Sequence, residues 1–138
     1  MWRIGVLCVA LLFAAAAAGS ASTVPVFCGC TSKTSVRPAG VVFACADANF
    51  YATSIRWTRW DAHAATGAGT GHQNDCTPNS AAGRFHAYPL AIGLSKPRVC
   101  SGTDEFSTIS WRFVRGKPAG VPRTGSESFS CRFRRERP

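Results

Sequence analysis

No stretch of this chain beyond residue 21 shows the three-to-four-residue apolar rhythm of an amphipathic helix, which argues against an all-α or an α/β fold. Acidic residues are scarce. Seven Asp+Glu stand against 16 Lys+Arg, for a formal net charge of +9. So few carboxylates do not build a calcium cage, and the basic excess, mostly arginine, draws nucleic acid, anionic lipid or acidic wall polymers. A G-x-S-x-G elbow is absent, so Ser80 has no setting as a nucleophile. C-x-x-C is absent too. Cys28-Gly29-Cys30 has one spacer residue where a zinc knuckle uses two, so neither metal nor cofactor is expected.

What is present begins with a leader. Met1-Trp2-Arg3 is a basic start, IGVLCVALLFAAAAA an apolar run, and Gly19 and Ala21 are the small residues a signal peptidase reads. The run is short for a membrane span, so cleavage after Ala21 and a secreted, extracellular or cell-wall-associated product are expected, with no stable transmembrane segment after processing. Phe27 is bulky where a lipidation signal before Cys28 needs a small residue. The expected organisation is a secretory signal at 1–21, a polar lead-in at 22–36, and one basic β domain at 37–138.

Six cysteines remain after Cys8 leaves with the leader: Cys28, Cys30, Cys45, Cys76, Cys100 and Cys131. An even count in an exported chain predicts that all six form disulfides, in any of fifteen connectivities. Cys28 and Cys30 are too close to bond to each other without strain and are expected to take different partners.

Short apolar runs between Gly/Pro turns predict six strands. VVFACA, SIRWTRW, HAATGAGTG, a run carrying Leu90, Ile92 and Leu94, FSTISWRFV with Arg112 outward, and SFSCRFR supply them. Trp60 falls out of phase with Trp57, so either a bulge intervenes or one tryptophan is exposed. The expected package is a small disulfide-stabilised β-sandwich. The Cys45…Trp57/Trp60…Cys100 spacing adds an immunoglobulin-like core as a finer expectation.

VFACADANFYATSIRWTRW, ATGAG and NDCTPNSAAGRFHAYPLAIGLSKPRVC resemble a group of small exported proteins of high-GC Gram-positive bacteria, with an ACADxN / WxxW / NDCxPxxAxG pattern. The likeness covers roughly residues 37 to 113. It implies a topology and no chemistry, since no activity is attached to the group. Cys45, Cys76 and Cys100 match its cysteines. Ser80 stands where the pattern usually has a cysteine, and Ala48 where glycine is usual.

Two candidate sites follow. His72, Asp75 and His86, with His63, provide acid–base groups for a ribonuclease-like pair, and Arg84 a phosphate contact. Asn74 and Asp75 are explained more simply as caps of the turn before Pro78, and Asp47 and Asn49 as closing a turn beside it, so the loop is expected to be structural and no residue is expected to be catalytic. The second candidate is a binding face. Trp60, if exposed, stacks on a sugar or base with Arg56 and Arg59 supplying charge, while Tyr88 and the C-terminal Arg132 and Arg134 extend it. The leading reading is a secreted, non-catalytic binding or envelope-associated protein whose ligand the sequence does not name, an anionic envelope polymer and another extracellular protein being the two kinds of partner considered. The alternatives are an inhibitor or structural module contacting another extracellular protein, and a secreted hydrolase or nuclease using His86 and Asp75.

Overall fold

The computed structural model describes residues 23–31 and 33–131. The leader expected at 1–21, and Arg132 and Arg134, lie outside these residues. Six strands pair in chain order, all antiparallel, in one sheet: β1 (Val41–Val42), β2 (Phe50–Trp60), β3 (Ala65–Asn74), β4 (Phe85–Cys100), β5 (Thr103–Phe113) and β6 (Thr124–Ser128). The all-β class is therefore correct. In place of the two facing sheets of a sandwich, with the crossing connections of an immunoglobulin-like fold, the chain makes a single meander that curls on itself.

The glycine-rich third strand explains the curl. On its inner face Ala65, Gly67, Gly69 and Gly71 lie opposite Leu94, Ile92, Leu90 and Tyr88. A methyl group at Gly71 would fall 2.4 Å from Leu90 Cδ1, and one at Gly69 3.0 Å from Ile55 Cγ1. With no side chain at Gly67, Gly69 or Gly71, β3 lets those of β2 and β4 close over it. Phe50 on β2 thereby meets Trp111 and Phe113 on β5, at ring separations of 5.3 and 5.9 Å. In a flat sheet those strands would stand about 14 Å apart. The concave side holds the core: Phe50, Ile55, Leu90, Ile92, Leu94, Ile109 and Phe113 are all buried.

The phase conflict between the tryptophans is resolved by bulges. Register slips occur between Thr53 and Arg56 and again between Trp57 and Arg59. The second turns both indoles to the inner side, edge to face at 4.9 Å. Trp60 is only 7% exposed, packs on Phe106, and donates its Nε1–H to the Pro25 carbonyl at 2.9 Å. The expectation of Trp60 as an exposed stacking surface is overturned, because the extra residue in the strand inverts its side.

The polar lead-in is also part of the core. Val26 runs along the edge of β5, taking the Asp104 carbonyl and giving its own to Phe106, both at 2.9 Å. Phe27 is buried, and Trp57 donates to the Pro38 carbonyl at 2.8 Å. Cys30–Cys45 ties this strap to the loop after β1. The strap thus reaches from the β5 edge to the β1 edge.

Cys100–Cys131 is the second disulfide among the described residues. Cys45 and Cys100 consequently do not bridge the core as an immunoglobulin-like pairing would. Cys76 departs from the expected full pairing. Its thiol is exposed and uncrosslinked, with the Ser80 hydroxyl 3.5 Å from its sulfur. A serine occupies the spot from which a half-cystine would reach it. The ends of the strands also shift. Residues 95–105 continue the β4–β5 hairpin, with Ser101 and Gly102 at positive φ forming its tip. The sixth strand lies at Thr124–Ser128, ahead of the Phe129–Phe133 alternation.

Candidate functional site

Inner-face register carries a second set of residues past the core to the mouth of the curled sheet. Gln73 on β3 is directly opposite His86 on β4, and Tyr88 follows on the same face. The β5–β6 connection folds over them. Gln73, Asp75, His86, Tyr88, Pro118 and Val121 line a cleft of about 390 Å³, within the ordinary range for a small-molecule site. Tyr88 is half-buried, its ring fixed edge-on against Phe113 at 5.6 Å.

The loop leaving β3 builds one wall. Asn74 is buried and fully employed: its Oδ1 accepts from the Cys76 N–H, and its Nδ2 donates to Asn49 Oδ1 and the Ser80 carbonyl. Asn49 is in turn held by both carboxylate oxygens of Asp47, which joins the β1–β2 turn to this loop. A methyl at Gly83 would sit 2.0 Å from Asn74 Oδ1, so only glycine passes there. Asp75 divides its oxygens. Oδ1 accepts the backbone N–H groups of Arg84 and Thr77, at 2.9 and 3.1 Å, and Oδ2 accepts His86 Nε2–H at 2.9 Å. The His86 hydrogen bond, then those from Arg84 and Thr77, pull the Asp75 carboxyl down to about 2. The capping role and the histidine contact thus coexist in one side chain.

The histidines do not converge. His72 pairs with Ala87 in register, so it faces the outer side, away from His86. There it stacks on Tyr51 at 4.8 Å and meets Thr53 Oγ1 at 2.9 Å. His63 is exposed in the β2–β3 turn, and Arg84 contributes only its backbone to the Asp75 network. A two-histidine ribonuclease-like pair is therefore not assembled. The surviving dyad is open: the His86 side chain is 51% exposed and that of Asp75 35%. Among the described residues no serine or cysteine lines the cleft.

The outer face carries the arginines. One register row reads Arg56–Ala68–Ala91–Arg112–Thr124, the next Arg59–Thr66–Gly93–Ser110–Ser126. Small side chains in the middle leave a shallow trough of about 410 Å³, lined by Thr66, Ala91, Gly93, Ser110, Arg112 and Thr124. Arg56 and Arg112 are exposed and make no ion pair among the described residues. Three strand spacings put their backbones about 14 Å apart, measured along a flattened sheet. Arg59 is committed to Asp61, whose carboxyl is held well below the usual range, first by that contact and then by the backbone N–H groups of His63 and Ala64. Such an exposed pair contributes little stability.

The structure thus unites Arg56 with Arg112, keeps Tyr88 in a different site, and removes Trp60 from both. Arg112 was legible as an outward residue but not as the partner of Arg56, because that depends on a β2 register set by bulges. Gln73 carries little signal in the sequence as a site residue. Its only signal is its place one residue before Asn74 on the inner phase of β3. No protein-family model, curated protein or solved structure matches the chain.

Proposed function

We propose that this protein is an exported, non-catalytic binding module that lays an anionic envelope polymer across its outer sheet face. The observation that carries this reading is the row in which Arg56 and Arg112 flank two alanines with no acidic residue between them. Guanidinium groups pair bidentately with phosphate or carboxylate, and the small floor lets a polymer approach the sheet closely. The formal net charge of +9, which becomes +8 when Arg3 leaves with the leader, favours association with such a partner. Export is supported by the leader pattern and by two disulfides, which persist in oxidising compartments. Among the described residues no helix is long and apolar enough to cross a membrane.

The test is binding to a poly(glycerol phosphate) chain, followed by calorimetry over a salt series. Affinity should fall as salt rises, and the Arg56→Glu/Arg112→Glu protein should bind at least tenfold more weakly. Arg98→Glu/Arg115→Glu, a charge reversal of equal size away from the row, should weaken binding much less. Equal losses from both proteins would reduce the reading to non-specific charge attraction.

The cleft favours a second reading, a secreted hydrolase or nuclease using His86 and Asp75. A carboxylate that orients an imidazole is the basis of general-base catalysis. Hydrolysis of RNA, an ester or a glycan by rigorously purified protein, abolished by His86→Ala, would put this reading first.

A further inference from the structure

We propose that the mouth cleft is a second binding site, for a neutral saccharide ring, independent of the polymer face. A sugar offers hydroxyl groups around its rim and a flat C–H surface on its faces. The cleft supplies both complements. Gln73 offers an amide donor and acceptor, and neither its amide nor the Tyr88 hydroxyl has a partner among the described residues. Asp75 Oδ2 accepts, and its contact to His86 Nε2 fixes the imidazole so that Nδ1 has no partner among the described residues. Pro118, Val121 and the Tyr88 ring supply apolar lining. Among the described residues no uncommitted cationic side chain lines the cleft, which disfavours phosphorylated or carboxylated ligands there. The polar groups stand on rigid elements. Gln73 and His86 are paired in the β3–β4 ladder, Tyr88 is wedged on Phe113, and Asp75 is held by two backbone N–H groups. Such fixed groups lose little entropy when a ligand binds.

The experiment is saturation-transfer NMR with methyl α-glucoside, methyl α-mannoside, arabinose and N-acetylglucosamine. The methyl glycosides stand for a chain terminus and the free sugars for soluble ligand. At least one should receive saturation concentrated on the C–H groups of one ring face. Gln73→Ala and Tyr88→Phe should each weaken it about two- to tenfold, the worth of one hydrogen bond. Both substitutions spare the core, and an unchanged amide spectrum checks that they do. The Arg56→Glu/Arg112→Glu protein should bind the same sugar as tightly as the parent, so failure at one face is separable from failure at the other. The proposal is overturned if no sugar gives transfer at millimolar concentration, if both cleft variants bind undiminished, or if the glycosides are cleaved.

Discussion

Replacing Trp60 by alanine separates a scaffold role from a binding role most directly. The indole is nearly fully buried, packed on Trp57 and Phe106, and hydrogen-bonded to the Pro25 carbonyl of the strap. Deleting such a side chain costs about 3–5 kcal/mol, because the apolar surface is lost and the cavity collapses only in part. The strap residue also loses its donor. For a domain of roughly 100 residues this is about 12–20 °C in Tm, and it is a third or more of the whole stability where that stands near 10 kcal/mol. Trp60→Phe is the informative control: it retains most of the apolar mass and leaves the Pro25 carbonyl unpaired, at about 1–3 kcal/mol. Urea melts with disulfides intact should rank parent, Trp60→Phe and Trp60→Ala in that order. Polymer affinity of the folded fraction should not change. A Trp60→Ala protein as stable as the parent but unable to bind polymer would refute the burial argument and restore the tryptophan to the ligand face.

Gly71→Ala should destabilise by about 1–3 kcal/mol in the same melts, since Leu90 is buried and cannot yield to the added methyl. In carboxyl NMR titrations His86→Ala should raise the Asp75 midpoint from about 2 toward 3.8, stopping short because the Arg84 and Thr77 N–H groups remain. Asp75 is depressed in the folded protein, so its stabilising contribution is present above pH 3.8 and fades as pH falls toward 2. Alkylation of the native protein with peptide mapping should label Cys76, and Ser80→Cys should abolish that label by closing a local disulfide. If Cys76 is unreactive in the parent, the exposed thiol is wrongly assigned.

The strand pattern was readable because each strand repeats its side chains every two residues, as Leu90, Ile92 and Leu94 do, and Gly/Pro turns separate the runs. Sheet count was not readable. An inner face made of Gly67, Gly69 and Gly71 looks like a weak strand, yet its emptiness is what lets one sheet enclose a core and dispense with a second. Trp60 was ambiguous for a similar reason, since a bulge of one residue changes its side without altering the composition. The His86–Asp75 contact spans eleven residues across a loop, and its two members were both nameable from sequence. Their geometry depends on Asn74, buried beneath the loop, whose several bonds leave no periodic trace. The exposed thiol could be anticipated only from Ser80.

The strap also sets an order of events for folding. Every strand pairing links neighbours in the chain, so the meander can grow hairpin by hairpin through local contacts. Val26 is different: its partner, Glu105, is synthesised much later, and the strap has no β5 edge to dock on until the fifth strand exists. From the completion of β5 until Val26 docks, the sheet keeps unpaired backbone at the β5 margin, where a second molecule can add a strand. The interval between completing β5 and docking Val26 is therefore the window in which this protein is most vulnerable to self-association.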